Sequence, residues 1–234
     1  MAVKVPQNGS KVIYDKKPRN MKQNIYFVSG IDTNIGKSYA TGWLAARWNE
    51  QGIRTITQKL IQTGNECISE DIELHRRIMG CGLLPEDIEG LTMPEIYSYP
   101  CSPHLAAEID SRPIDFEKIR KATEILSEKY DAVLLEGAGG LMVPLTRDLL
   151  TIDYARNMSY PVILVTSGRL GSINHTLLSL EALKSRNMVL KALVFNDFPV
   201  EEDTRIADDT SQYLVNYIST YFPDAEYLRV PVIG

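Results

Sequence analysis

The chain has 234 residues, 44% of them hydrophobic, and a formal net charge of −5 at pH 7; one domain of this length can bury a sizeable core. No apolar run approaches the roughly 20 residues that span a bilayer, and the acidic charge argues against nonspecific nucleic-acid binding, which needs clustered cations. The three cysteines share no metal-ligand spacing, which favours free thiols in a reducing compartment. We expect a cytoplasmic protein that has neither a membrane nor a nucleic acid as partner.

Residues 1–20 precede any segment with hydrophobic periodicity. Residues 1–24 carry six basic side chains against a single acid, a composition typical of a disordered tail. We interpret residues 1–20 as such a tail or as a leader added for expression, with Met21 as the natural start. A basic arm for a nucleic acid or a membrane is the alternative.

From residue 25 onward, hydrophobic runs alternate with segments of helical periodicity. The predicted strands are “IYFVS” from residue 25, “RTITQKL” from 54, “AVLLEG” from 132, “PVILVTS” from 161 and “LKALVFND” from 190, and the predicted helices lie near 37–51, 69–79, 115–129, 173–186 and 203–221. Apolar strands separated by helices predict an α/β fold with a mostly parallel sheet and helices on both faces. The proline-rich segment 80–113 is the least regular, and we expect it to run over the surface.

The stretch “GIDTNIGKS”, residues 30–38, joins the first predicted strand to the first predicted helix. This order is that of a P-loop, whose backbone N–H groups wrap the phosphate oxygens of a nucleoside triphosphate. We expect Lys37 to reach the terminal phosphates and Ser38 to bind Mg²⁺. Five residues separate Gly30 from Gly36, one more than in the common pattern, so the flanking strand and helix carry the interpretation. A single-domain P-loop NTPase-like fold is predicted, and a glycine turn without a ligand is the alternative.

Two further candidate side chains lie at predicted strand ends. Glu136 precedes a run of small residues, and an acid there would lie beside the phosphate loop and bind the metal. Lys59 ends the second strand, either as a surface cation or as a group that stabilises charge on the transferred phosphoryl oxygens. The residues alone leave this choice open, and they do not decide which of Glu70, Asp71 and Glu73 is a second metal-binding acid.

Six collinear segments resemble those of the dethiobiotin synthetase family. They are “GIDTNIGKS”, with the family's own five-residue gap, “KLIQTG”, “SPHLAAEIDSRPID”, “LLEGAGGLMVPL”, “PVILVTSGRLGSINH” and “VFND”. The resemblance covers nearly the whole chain from Met21, so residues 21–234 are predicted to form one P-loop dethiobiotin synthetase domain. It implies a ligase that uses ATP and CO2 to close the ureido ring on 7,8-diaminopelargonic acid, through a carbamate and a carbamic-phosphoric anhydride, releasing ADP and phosphate.

By motif match, the resemblance makes Lys37 and Lys59 the catalytic residues that flank the transferring phosphoryl group. Ser38, Asp71 and Glu136 would hold Mg²⁺, the expected cofactor, with ATP as co-substrate.

The binding residues follow from the same match. The implied ATP-binding residues are Asn34, Ile35, Gly36, Lys37, Ser38, Tyr39, Asp71, Glu136, Gly137, Ala138, Gly139, Asn196, Asp197, Pro231, Val232 and Ile233. The implied substrate-binding residues are Thr33, Thr63, Gly140, Ser172 and Asn174. Asn196 and Asp197 would read the adenine, and Pro231 to Ile233 would close over the base.

The resemblance also implies a homodimer with sites at the interface. The “GSINH” region of a second subunit would hold the substrate carboxylate at a helix start near Ser172, where the helix carries a partial positive charge. His175 and His104 are then interpreted as structural residues.

Three positions depart from the family pattern. Asn34 stands where a glutamate is frequent, and Leu60 replaces a proline, which leaves the turn that aims Lys59 less constrained. Arg169 replaces a lysine, a change that should be harmless where the side chain is only a surface charge. The chain ends at Gly234 where relatives commonly continue, and we expect the base-binding end to be truncated or built differently.

Other P-loop proteins remain as alternatives. A switch ATPase of the partitioning or metallocentre-maturation type commonly carries an extra lysine inside the loop, and residues 31–35 contain none. An amidoligase of the cobyrinate type needs a glutaminase domain that this length cannot accommodate. A non-catalytic nucleotide-binding module would leave Lys59 and Glu136 without a purpose.

Overall fold

The computed structural model of this protein describes residues 23–198 and 204–232. The predictions made for residues 1–20, for Met21 and for Ile233 lie outside these residues. Within the described ranges, no helix is both long and apolar enough to cross a membrane.

The helices and strands alternate along the chain as the sequence predicts. In chain order they are β1 (Ile25–Gly30), α1 (Lys37–Glu50), β2 (Thr55–Lys59), β3 (Gln62–Thr63), α2 (Glu70–Ile78), α3 (Pro85–Ile88), β4 (Ile96–Tyr97), α4 (Pro103–Ile109), α5 (Phe116–Lys129), β5 (Ala132–Gly140), β6 (Pro144–Thr146), β7 (Leu149–Leu150), α6 (Thr151–Asn157), β8 (Val162–Ser167), α7 (Ser172–Lys184), β9 (Leu190–Asn196), α8 (Thr204–Tyr221) and β10 (Glu226–Val230). All five predicted strands and all five predicted helices are confirmed.

Six strands form one parallel sheet in the order β10-β9-β8-β1-β5-β2. Helices pack on both of its faces because successive side chains of a strand point to opposite sides. On β5, Val133 and Leu135 pack against α5, whereas Leu134 between them packs in the cluster that contains Leu44 of α1. The predicted P-loop NTPase-like fold is confirmed.

The carboxyl ends of the strands bring the candidate residues together. β1 ends at the glycine-rich loop, and the register of β2 and β5 places Lys59 directly beside Glu136. On its other side, Glu136 is paired with Val28 of β1. Ligands of open parallel sheets bind at this edge.

The segment 80–113 differs from the expectation of a surface excursion. It contains α3, β4 and α4, and Tyr97 is fully buried in the core. Pro85 and Pro103 lie at the first turns of α3 and α4, where proline is favoured because its missing N–H has no helical partner to lose. These prolines therefore mark helix starts, and the segment packs into the fold.

The sixth strand, β10, was not predicted from the sequence. It lies at the edge of the sheet, and its Glu226 and Arg229 are exposed to solvent. Charged side chains are typical of edge strands, where they discourage pairing with another chain. Because they interrupt the apolar run, β10 lacks the pattern that predicts the other five strands of the sheet.

Candidate active site

The glycine-rich loop, residues 30–36, contains two residues with a positive φ, and both are of types that tolerate it. Asn34 has a φ of 58° and Gly36 a φ of 83°, in the left-handed region that glycine and asparagine tolerate best. A Cβ on Gly36 would lie only 2.0 Å from Nδ2 of Asn196. Position 36 therefore requires glycine on two grounds, its backbone angle and its neighbour.

Asn196 braces this loop from the end of β9. Its Nδ2 donates to the carbonyl oxygen of Ile35 at 3.1 Å and to that of Phe198 at 2.8 Å. The amide is thus engaged in holding the loop. Its suggested role in reading the adenine stays a prediction.

Four polar side chains converge where β2, α1, α2 and β5 meet. The Nζ of Lys59 lies 2.8 Å from Oε1 of Glu136 and also contacts the carboxylate of Asp71. The hydroxyl of Ser38 lies 2.6 Å from Oδ1 of Asp71 and 2.9 Å from Oε1 of Glu136, so it donates to one carboxylate at a time. Residues from four elements thus form one charged cluster at the start of α1.

The residue at which α2 begins decides which of its acidic side chains faces the cluster, and the side chain that does so belongs to Asp71. Ser69 caps this helix by accepting a hydrogen bond from the N–H of Ile72. This start turns Asp71 toward Lys59, whereas Glu70 and Glu73 are exposed. The structure places the acid suggested by the resemblance in the cluster.

Burial and charge oppose each other in this cluster. Glu136 is fully buried, which alone would raise its pKa, but the charge of Lys59 and the hydrogen bond from His75 hold that pKa well below its usual value. Burial alone would lower the pKa of Lys59, but Glu136 and Asp71 raise it above the usual value. Both groups are therefore charged at neutral pH.

For Lys37, burial affects the pKa more strongly than the neighbouring charges do. Burial lowers the pKa of its ammonium, and the charge of Glu136 offsets this only in part. An anionic phosphate at the loop would favour the protonated form, because an opposite charge within a few ångströms stabilises it.

The oxygen atoms of the cluster suit Mg²⁺. Ser38, Asp71 and Glu136 present a hydroxyl and two carboxylates, and Mg²⁺ at phosphate sites is held by one or two carboxylates together with phosphate oxygens and water. Among the described residues, no group of three or more His, Cys, Asp and Glu side chains is arranged to hold a metal ion. With phosphate oxygens as further ligands, the hydroxyl and the two carboxylates fit Mg²⁺.

A cleft of about 480 Å³ opens beside the cluster. It brings together the predicted residues Thr33, Asn34, Gly36, Lys37, Ser38, Tyr39, Lys59, Thr63, Asp71, Glu136, Ala138 and Gly139. Ile61, Gln62, Leu74 and Phe198 also line it, and the sequence had not indicated them. Most of the residues predicted for phosphate, metal and substrate thus share one cavity.

The remaining predicted residues lie elsewhere. Gly140 lines a neighbouring depression that also includes Thr33 and His175. Ser172 is buried at the start of α7, while Asn174 is exposed on the same helix. Within one chain these two do not line the cleft, and the suggestion that a second subunit supplies them stays a prediction.

The predicted base-binding residues are dispersed. Asp197 accepts a hydrogen bond from Nε of Arg229 at 2.8 Å, and Pro231 and Val232 are exposed after β10. Ile35 of the loop packs in the core and Gly137 of β5 lies against Phe27, and neither lines the cleft. A larger cavity of about 730 Å³ lies between α5 and α6, and no predicted site residue lines it.

Two departures from the family pattern have structural consequences. The N–H of Leu60 donates to the carbonyl oxygen of Glu136 at 2.8 Å, a bond that a proline could not make. Arg169 forms an ion pair with Asp32 of the glycine-rich loop, with 2.7 Å between Nη2 and Oδ2. The hydrogen bond from Arg169 lowers the pKa of Asp32, so this surface cation is paired with the loop.

Comparison with known proteins identifies the family. Residues 24–234 match the family described as an AAA domain. The chain is 51% identical over 210 residues to the ATP-dependent dethiobiotin synthetase BioD 2 of Pasteurella multocida, covering 90% of this chain and 98% of that protein. It is 50% identical over 220 residues to the ATP-dependent dethiobiotin synthetase BioD of Chlorobaculum tepidum, covering 94% and 92%.

Solved structures show the same fold at low identity. A ParA family ATPase from Chlorobium tepidum has a TM-score of 0.51 at 14% identity and covers 91% of this chain and 86% of that one. The cell division protein FtsY of Thermotoga maritima has a TM-score of 0.53 at 14% identity, covering 94% and 64%. At such identities the likeness concerns the fold alone.

Proposed function

This chain belongs to the ATP-dependent dethiobiotin synthetase family and is an ATP-dependent ligase of biotin synthesis; from this premise we propose that it closes the ureido ring on 7,8-diaminopelargonic acid with CO2. The single observation that carries the proposal is the meeting of Lys37, Lys59, Ser38, Asp71 and Glu136 at one P-loop cleft. We further propose that it acts in the cytoplasm.

The reaction begins with uptake of CO2 by one amine of the substrate, which forms a carbamate and releases a proton. A carbamate oxygen then bonds to the terminal phosphorus of ATP while the bond from that phosphorus to the bridging oxygen breaks, and ADP leaves. The second amine attacks the carbonyl carbon of the mixed anhydride. The carbon–oxygen bond to phosphate breaks, the nitrogen loses its proton, and the ring is closed.

The protein's contribution is orientation and charge compensation. The N–H groups of the glycine-rich loop and the ammonium of Lys37 bind the phosphates. The ammonium of Lys59 neutralises the charge that develops on the transferred oxygens. The hydroxyl of Thr33 and that of Thr63, on the rim of the cleft, orient the diamine and its carbamate.

We assign Ser38, Asp71 and Glu136 as the residues that would hold Mg²⁺. When bound, the ion would supply positive charge that stabilises the phosphates and the leaving ADP.

The site is completed by a second copy of the chain in this proposal. Ser172 and Asn174 lie at the start of α7, outside the cleft of their own chain. A helix N-terminus stabilises a carboxylate, so the partner's α7 would hold the substrate's acid group. The dimer therefore binds a substrate that one chain alone holds only at its diamine end.

The test is phosphate release from magnesium ATP and bicarbonate, with and without 7,8-diaminopelargonic acid. Release that depends on the diamine, with dethiobiotin identified by mass, supports the proposal. Slow release that is indifferent to the diamine would instead support a switch ATPase.

A further inference from the structure

His75 is a fully buried side chain of α2 that hydrogen-bonds through both ring nitrogens. Its Nε2 lies 2.9 Å from Oε2 of Glu136, and its Nδ1 lies 3.0 Å from Oγ1 of Thr57. The ring therefore joins the centre of the sheet to the acid of the charged cluster.

The neighbouring hydrogen bonds fix which ring nitrogen carries the proton. Nη1 of Arg76 donates to Oγ1 of Thr57 at 2.9 Å, so that oxygen already accepts from one side. A hydroxyl has a single proton to donate, and among the described residues His75 Nδ1 is the partner within reach of it. Nδ1 is then the acceptor and Nε2–H donates to Glu136.

Arg76 is itself immobilised. Its Nε and Nη2 donate to the two carboxylate oxygens of Asp87 at 2.8 and 2.7 Å, and Arg76 and Asp87 are 2% and 3% exposed. A two-point contact between guanidinium and carboxylate has a defined geometry. A chain of hydrogen bonds, called the relay below, thus runs from Asp87 of α3 to Glu136. Its intermediate members are Arg76, Thr57 and His75.

The relay assigns different tasks to the two oxygens of Glu136. Oε2 is occupied by His75, whereas Oε1 faces Ser38 and Lys59 at 2.9 and 2.8 Å. We propose that His75 is a positioning residue that holds Glu136 with Oε1 alone turned toward the nucleotide and its metal ion. This inference rests on the proposed function in one respect, the assignment of Glu136 as a metal-binding residue.

Two substitutions separate hydrogen bonding from packing. His75→Leu keeps an apolar group of similar size but donates no hydrogen bond, whereas the amide nitrogen of His75→Gln lies near the position of Nε2 and can donate to Glu136. Loss of such outer hydrogen bonds typically lowers metal affinity by about 10- to 100-fold. We expect that loss in Mn²⁺ affinity for His75→Leu and recovery of most of it in His75→Gln.

Mn²⁺ binding is measured by electron paramagnetic resonance in the presence of ADP, after thermal unfolding has shown that each variant is folded. Glu73→Gln, on the exposed side of the same helix, is the matched control and should bind Mn²⁺ like the wild type. Wild-type affinity in folded His75→Leu, or equal losses in both His75 variants, would overturn the positioning role.

The hydrogen bond has a second readout that needs neither metal nor activity. Nitrogen NMR of protein labelled with ¹⁵N-histidine distinguishes protonated from unprotonated ring nitrogens, and the His75 signals are identified by their absence in His75→Gln. A protonated Nε2 and an unprotonated Nδ1 are expected, and the reverse tautomer would overturn the proposal. A wild-type protein that shows the expected tautomer but binds ADP without Mn²⁺ would refute the metal assignment of Glu136 instead.

Discussion

Removal of the ammonium of Lys59 is the most informative perturbation of the charged cluster. Lys59→Met keeps an unbranched side chain but leaves Glu136, which is fully buried, without the cation at 2.8 Å. Asp71 loses the same partner. The substitution therefore leaves two carboxylates facing each other across Ser38.

The expected loss of stability follows from burial. Removing one partner of a buried ion pair costs about 3–5 kcal/mol, because the remaining charge stays desolvated. The hydrogen bonds of Glu136 with His75 and Ser38 remain, so we expect a value near the lower end, about 3 kcal/mol. Adding Glu136→Gln removes the uncompensated charge, and the double variant should lose less stability than the two single variants do in sum.

The pH dependence has a defined sign. The pKa of Glu136 is lowered in the folded protein, so its contribution to stability is present above its unfolded pKa and is lost as the pH falls through the folded one. Lys59→Met removes the cation that lowers this pKa, and protonation of Glu136 then relieves the uncompensated charge. The stability difference between variant and wild type should therefore shrink as the pH falls below neutral.

The assay is urea unfolding at pH 7 and pH 5 of four proteins: the wild type, Lys59→Met, Glu136→Gln and the double variant. Lys121→Met, an exposed lysine at 66% side-chain exposure, is the control and should change stability by less than about 0.5 kcal/mol. If the stability losses of the two single variants add up to that of the double variant within about 0.5 kcal/mol, the two charges are not coupled. That result would refute the argument.

Three further outcomes are expected. Gly36→Ala should abolish ADP binding in titration calorimetry, because its Cβ would meet Asn196 at 2.0 Å, and wild-type affinity would contradict this. Asn196→Ala should weaken ADP binding by about tenfold, or about 1.4 kcal/mol, since the loop loses its bond at Ile35; unchanged affinity would show that the loop needs no brace. Arg169→Ala should lower the free energy of unfolding by less than about 1 kcal/mol, because its ion pair with Asp32 is exposed, and a loss above about 2 kcal/mol would contradict a surface pair.

Much of the site could be predicted because the chemistry of a P-loop is encoded in contiguous residues. The sequence indicates Lys59 and Glu136 because each closes an apolar run, and parallel strands present their carboxyl ends at one edge. In the structure Lys59 does end β2, whereas β5 continues past Glu136 to Gly140. The register that places them side by side became visible only in the structure. Asp71 could not be separated from Glu70 and Glu73 by residue type, because the phase of α2 decides it.

Other contacts had no signal in the sequence. The bond between His75 and Glu136 joins positions 61 residues apart, and the ion pair of Asp32 with Arg169 joins positions 137 apart. Each requires the sheet order to be known first. Asp87 lies in a segment rich in proline, and its burial depends on the short helix α3 packing into the fold.

The most direct test of the central claim is a single turnover with ¹³C-labelled bicarbonate, magnesium ATP and 7,8-diaminopelargonic acid, followed by mass and carbon NMR analysis of the product. The account predicts one labelled carbon in the ureido carbonyl for every phosphate released. Phosphate released without incorporation of label would contradict ring closure as the function of this site.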